Sequence, residues 1–287
     1  MSDQLSLELD ASLPRPPVRL RPMLPRPAEA PFDSVDHLFE PSWAGQRVLA
    51  FLEPAVEQDA EGRWRSADGG PSLRLVDAGG RDLADRLPEL AGLALRVEAR
   101  SAVLDGEIVV VDADGRADPA ALDARIAGEA GPDVAYLVFD LLYLEGAPLL
   151  GRPLTRRRDA LRRVLRPGPE VVAVPAIVGE GRALHDAIRT QGLAGVLARR
   201  RDSPYLPGIR SRLWRFVPAS ATASATTEDE ATVTGTAATG ARPARPEPAP
   251  AGEGLWAPAE GRADGPVGPA PVLAVFRRLP LPPDEDA

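Results

Sequence analysis

Apolar residues recur along the chain at two spacings, and the spacing assigns the elements. Stretches that are apolar throughout or alternate with period two predict strands: QRVLAFL at 46–52, SLRLV at 72–76, AVLDGEIVVVD at 102–112, VAYLVFDLLYL at 134–144, VVAV at 171–174, GVLARR at 195–200 and LWRFV at 213–217. Four others space their apolar residues three and four apart and predict helices: LPELAGLALRVEAR at 87–100, PAALDARIAG at 119–128, LTRRRDALRRVL at 154–165 and GRALHDAIRTQG at 181–192. Outside this middle region the periodicity fails. Residues 1–30 are Pro-rich and aperiodic, and residues 218–287 begin as low-complexity Ala/Pro/Gly/Thr sequence. The pattern therefore divides the chain into a tail at 1–30, a mixed domain with strands and helices at 31–217, and a second tail at 218–287. Both tails are expected to be disordered.

Composition changes this picture in three places. The 32 prolines and 26 glycines exceed ordinary usage and concentrate toward the two ends. There is no cysteine, which excludes disulfides, thiolate metal sites and a cysteine nucleophile together. There is also no lysine, so all 34 basic residues are arginine. No segment approaches the ~20 apolar residues that span a bilayer, and the first residues lack a basic start followed by an apolar run. These features predict no membrane association and a cytoplasmic protein. The net charge of −8 disfavours generalised nucleic-acid binding and leaves that question to local patches.

Candidate chemistry gathers in a few stretches. FEPSWAGQRVLAF at 39–51 enters a predicted strand from a tight glycine turn and carries Glu40, Trp43 and Gly45 at its mouth. LDGEIVVVD at 104–112 reads as a strand interrupted at its start by Asp-Gly-Glu. There Glu107 would suit a hard cation or a sugar hydroxyl, and Asp-Gly is equally a common turn dipeptide. In YLVFDLLYLEG at 136–146, Phe139 suits a core position, or a platform for a planar ring. LARRRDSPYLPGIRSRLWRF at 197–216 interleaves Arg199, Arg200, Arg201, Arg210, Arg212 and Arg215 with Tyr205 and Trp214, which suits phosphates and bases. The arginines of the 154–165 helix read instead as the solvated face of an amphipathic surface helix. His37 and His185, the only histidines, have no ligand-like spacing and are expected to be structural.

In order along the chain, RPMLPRPAEAPFDSVDHLFEPSWAGQR, RLVDAGGRDLADRLPEL, LDGEIVVVD, YLVFDLLYLEG and GVLARRRDSPYLPGIRSRLWRFV resemble the adenylation domain of ATP-dependent DNA ligases. The resemblance is strongest to the ligase module of bacterial end-joining ligases and runs from about residue 21 to 217. It implies an α+β, ATP-grasp-like nucleotidyltransferase fold of antiparallel sheets with flanking helices. It also implies ATP and Mg²⁺ as cofactors, nicked or broken duplex DNA and repair proteins as partners, and a small OB-fold domain after the first. Residues 218–287 would be at most an eroded remnant of that second domain. Family members attack ATP with a lysine in a Lys-x-Asp-Gly-x-Arg pattern. Here the pattern reads Ser42-Trp43-Ala44-Gly45-Gln46-Arg47, so Ser42 stands at the nucleophile position and Ala44 at the neighbouring acid position. Other expected residues are replaced as well. Asp77-Ala78-Gly79-Gly80 stands for Ser-Arg-Asn-Gly, Ala194 for a metal carboxylate, and Phe216 and Pro218 for phosphate-binding lysines.

What persists by resemblance is Glu40, Arg47, Glu107 and Phe139 around adenine, ribose and one metal ligand at Glu107. Arg199, Arg200, Arg201, Arg210 and Arg212 would be the DNA contacts. The expectation is a pseudo-ligase that binds ATP weakly or not at all and holds DNA, a nucleotide or a repair partner. Two alternatives stay open: an active ligase using an unconventional nucleophile, for which Ser42 is the nearby hydroxyl, and a decaying paralogue with no selected role.

Overall fold

The computed structural model describes residues 16–17, 19–53, 56–58, 64–66, 72–112 and 115–220. The tail expectations for 1–15 and 221–287, including the eroded second domain, lie outside the described residues. Two large sheets carry the architecture. The first has strand order β1-β13-β12-β2-β11, with β1 Leu24–Pro27, β2 Ser34–Ser42, β11 Ile177–Gly179, β12 Gly195–Arg200 and β13 Arg210–Pro218. The second has order β10-β8-β7-β3-β6, with β3 Gln46–Glu53, β6 Ser72–Asp77, β7 Ala102–Val109, β8 Ala135–Leu144 and β10 Val171–Ala173. β9 Ala147–Pro148 pairs with β8, and β4 Val56–Gln58 pairs with β5 Trp64–Ser66. Antiparallel pairing dominates. The exceptions are β1 beside β13 and β10 beside β8, both parallel.

Three predicted helices form: α1 Pro119–Ala127, α2 Leu154–Val164 and α3 Gly181–Gln191. α1 starts where Asp118 accepts a hydrogen bond from the Ala121 amide and stops at left-handed Gly128; α3 stops the same way at Gly192. The fourth, at 87–100, forms a 3₁₀ segment over Pro88–Arg96. It still buries Leu90, Leu93 and Ala94 as its pattern requires. Expected and observed boundaries differ at the front of the domain. Met23 is fully buried and β1 is hydrogen-bonded into the sheet, so the fold begins before residue 31. Pro25 and Pro27 made this segment look like a tail, but proline is tolerated in an edge strand, where its missing donor costs nothing.

Each face of the second sheet has its own core. Val48, Ala50, Leu52, Leu75, Leu104, Tyr136, Val138 and Leu141 pack against the 3₁₀ segment, α1 and α2. From the opposite face, Leu49, Phe51, Val103 and Leu142 meet Met23, Tyr205 and Trp214. α3 covers the far side of the first sheet through Leu184 and Ile188 against Phe39, Val196 and Ala198. Asp105-Gly106-Glu107 lies within β7, and the expected interruption is a shift of register against β8 between Asp105 and Gly106. Gly106 is there for space, since a Cβ would sit 2.5 Å from the Leu137 carbonyl oxygen and 2.6 Å from the Tyr136 ring.

The turn between β2 and β3 is Trp43-Ala44-Gly45. A Cβ at Gly45 would lie 2.3 Å from the Ile108 carbonyl oxygen, so only glycine fits. Ala44 has φ of 53°, a left-handed conformation that costs a residue with a Cβ about 1 kcal/mol. Its side chain is exposed, so Ala44→Gly removes strain without opening a cavity. The expected result in chemical denaturation is a gain of about 0.5–1 kcal/mol with an unchanged m-value. A loss of stability would contradict this reading of the turn.

Candidate nucleotide cleft and basic surface

Alternation along the strands aims one set of side chains into the space between the sheets. From β2 and β12 come Glu40 and Arg199, from β13 Trp214, and from β3, β7 and β8 come Arg47, Asp105, Glu107 and Phe139. Helix α2 and the loop after β12 add Arg158 and Tyr205. Three of the four expected nucleotide residues, Glu40, Arg47 and Phe139, thus meet in one cluster, and Glu107 stands beside it.

The cluster is knitted together by ion pairs. Arg47 donates from Nε and Nη2 to the two Asp105 oxygens at 2.6 and 2.7 Å, while Tyr205 donates to the same carboxylate at 2.7 Å. Burial alone would disfavour the Arg47 cation, but Asp105 outweighs it and raises the Arg47 pKa. Burial, followed by the Asp105 charge, pushes the Tyr205 hydroxyl well up, so it remains a donor. Glu40 accepts from two guanidinium groups, Arg158 on Oε1 and Arg199 on Oε2. Arg158 also donates to the Phe139 and Val174 carbonyls. Nearby, Arg157 binds Asp140 with two 2.8 Å bonds, both side chains wholly buried.

Two expectations are corrected here. Arg157 and Arg158 do not belong to a solvated helix face; they lie on the buried side of α2, each held by a carboxylate. Arg199 is not a surface DNA contact. It has no exposed surface, and its guanidinium lies 3.8 Å from the Phe139 ring centre and 4.7 Å from that of Trp214. Its Nε and Nη2 groups find no hydrogen-bond partner among the described residues, so the aromatic rings take the place of oxygen acceptors. Burial, against the opposing pull of Glu40, lowers its pKa. The remaining arginines of that stretch do face solvent. Arg200 pairs with Asp202 at 2.7 Å, Arg201 and Arg210 each donate one bond to a backbone carbonyl, and Arg212 is exposed.

The position matching the family's nucleophile holds Ser42, at the end of β2. Ser42 Oγ accepts a 3.4 Å bond from the Ala44 amide and has no carboxylate or histidine partner among the described residues. Glu107 Oε1 accepts from the Trp43 amide at 3.1 Å, and burial raises the Glu107 pKa despite Arg47 and Arg199. Two arginine cations, Arg47 and Arg199, lie near the Glu107 carboxyl and disfavour a further cation there. Among the described residues no three acidic, histidine or cysteine side chains gather where a metal could sit. Nor do the groups present fit a purine as they stand: Arg47, at 4.3 Å, and Arg199 already lie over the Phe139 ring, and both Glu40 oxygens are engaged.

Of these residues, sequence reasoning missed Asp140, read Asp105 as part of a turn, gave Tyr205 to a nucleic-acid surface and placed Arg157 and Arg158 on a solvated face. Only the two arginines left a readable signal, since they fall three and four residues after Leu154 and so share its stripe.

Known proteins share this fold. Residues 77–215 match the family described as ATP dependent DNA ligase domain. The chain is 35% identical over 179 residues to the multifunctional non-homologous end joining protein LigD of Mycobacterium bovis, covering 61% of this chain and 21% of that one. It is 34% identical over 173 residues to a DNA ligase of Methanoculleus marisnigri, covering 56% and 31%. It thus spans between a fifth and a third of the length of these relatives. Among solved structures, a mycobacterial DNA ligase D complexed with ATP and MES superposes with a TM-score of 0.57 at 28% identity, covering 70% of this chain and 60% of the other. The ligase domain of M. tuberculosis LigD gives 0.53 at 30% identity, covering 69% and 59%. The described domain has the fold of the adenylation domain of ATP-dependent DNA ligases, and residues 77–215 match that family.

Proposed function

We propose that this domain is a pseudo-ligase, which keeps the ligase fold to hold broken or nicked duplex DNA and has given up nucleotide chemistry. The observation that carries the reading is the state of the cleft. No lysine exists to form a phosphoramidate, Ser42 has no base, and Arg199 lies over the ring against which adenine would stack. ATP binding is expected to be weak, because a purine must first displace a guanidinium that Glu40 holds. Of the two metal carboxylates that the resemblance implies for Mg²⁺, Glu107 is present and Ala194 replaces the other. A role in end joining accords with the relatives' printed names.

The DNA surface in this reading comprises Arg200, Arg201, Arg210 and Arg212, without Arg199. Contacts of this kind go to phosphates and carry no sequence preference. Fluorescence anisotropy with a labelled nicked duplex tests the proposal. Affinity should fall steeply with salt, log K dropping by about 0.9 per phosphate contact for each tenfold increase. Arg201→Glu with Arg210→Glu should weaken binding at least tenfold at low salt. Binding that ignores salt, or that survives this double charge reversal, would remove the DNA-holding role.

A further inference from the structure

A second cavity lies outside the cleft. It has a volume of about 570 Å³ and is lined by Pro27, Ala28, Phe32, His37, Leu213 and, as its charged groups, Arg200, Arg212, Arg215 and Glu29. Strand alternation separates His37, Arg200 and Arg215 from the nucleotide cleft, while Arg212, two residues before Trp214, lines the cavity as well. His37 lies two residues from Phe39, and Arg200 two from Ala198, on the face of the first sheet that α3 covers; Arg215 is cross-strand from Ala198 on that same face. Glu40 and Arg199 point the other way.

The charges in this cavity do not balance. Asp202 engages Arg200 at 2.7 Å. Arg212 and Arg215 have no carboxylate partner among the described residues, leaving two guanidinium groups against Glu29. His37 Nδ1 is bonded to Ser34 Oγ at 2.9 Å, which fixes the ring. Burial, then the charges of Arg200 and Arg215, lower the His37 pKa, as a positively biased pocket requires. Phe32 forms an aromatic wall, its ring edge-on to His37 at 5.3 Å and to Phe39 at 5.4 Å. Pro27, Ala28 and Leu213 supply apolar lining. Unpaired guanidinium groups at a half-open cavity favour a phosphate, an aromatic and apolar wall favours a planar ring, and the volume is that of a small-molecule site. A duplex is too wide to enter.

We propose that this cavity binds a small phosphate monoester carried on a planar ring, of the nucleoside monophosphate class, with the phosphate on Arg212 and Arg215 and the ring against Phe32. The site is distinct from the adenylation cleft and shares Arg200 and Arg212 with the proposed duplex surface, so duplex and nucleotide would compete for those two side chains.

Adenosine 5′-monophosphate is the probe, followed by calorimetry and by proton NMR of the two histidine rings in the full chain. Titration should move the His37 ring signals, leave those of His185 in place, and raise the His37 pKa. Adenosine and inorganic phosphate should each bind at least tenfold more weakly than the monophosphate. Arg212→Gln with Arg215→Gln should weaken binding at least tenfold; circular dichroism checks the fold, and Phe32→Leu gives a second, neutral probe of the same wall. Undiminished binding in the double variant, or shifts confined to His185, would overturn the assignment. Inorganic phosphate binding as tightly as the nucleotide would overturn the ring contact.

Discussion

Incubated with α-labelled ATP and Mg²⁺ and resolved on a denaturing gel, the protein is expected to carry no label, and in a sealing assay to leave a nick open. The phosphoramidate intermediate needs an amine that can shed its proton at neutral pH. The arginine guanidinium, with a pKa above ~12, cannot do so, and all 34 basic residues are arginine. Removing a catalytic nucleophile elsewhere lowers rates by factors on the order of 10⁶. Here the loss is compounded, because Ser42 lacks a base and Arg199 covers the ring of Phe139. Restoring Ser42→Lys and Ala44→Asp together should still fail, since neither change frees Phe139 or supplies a second metal carboxylate in place of Ala194. An acid-labile labelled band at the mass of the wild-type chain would overturn the pseudo-ligase reading; sealing by the double variant would show that the cleft is not blocked.

Glu40→Gln is expected to destabilise the domain by about 3–5 kcal/mol, the usual consequence of stripping a buried carboxylate from its cations. Two guanidinium groups depend on that one side chain, and neither has a second carboxylate within the ion pairs of the cluster. For a domain of this size the loss corresponds to a fall in Tm of about 10 °C. Arg199→Met should cost much less, because it removes the guanidinium whose Nε and Nη2 find no acceptor while Arg158 still neutralises Glu40. Combined with Glu40→Gln, it should recover part of the lost stability, a coupling that a double-mutant cycle measures directly. A Glu40→Gln shift below about 1 kcal/mol would show that the cluster does not hold the two sheets together.

How much of this was legible depended on whether a local pattern or a long-range contact set the outcome. The predicted strands at 46–52, 134–144 and 195–200 appeared because both faces of each are buried, which leaves dense apolar runs. β1 and much of β2 escaped notice: LPRP holds two prolines, and the front of SVDHLFEPS is exposed. Arg157 and Arg158 were readable in principle, lying on the Leu154–Leu161 stripe of α2, but an arginine there suggests solvent until its carboxylate is known. Asp140 and Glu40 are 17 and 118 residues away from those arginines, a separation no periodicity reveals. For Arg199 the obstacle differs. β12 is buried on both faces, so alternation says only that Arg199 and Arg200 diverge, not which one turns inward.

The parallel pairing of β1 with β13 has a consequence for how this unit can be wired to others. Because both strands run the same way, the polypeptide enters the fold beside the start of β13 and departs from that strand's far end. Nine residues of extended chain separate the two points, roughly 30 Å at 3.3 Å per residue. Segments fused before and after the domain would therefore project from opposite ends of one sheet edge, strung in line rather than side by side. A circular permutant closing the two ends would need a linker of at least about nine residues laid along that edge, where Pro25 and Pro27 withhold the amides it would otherwise pair with.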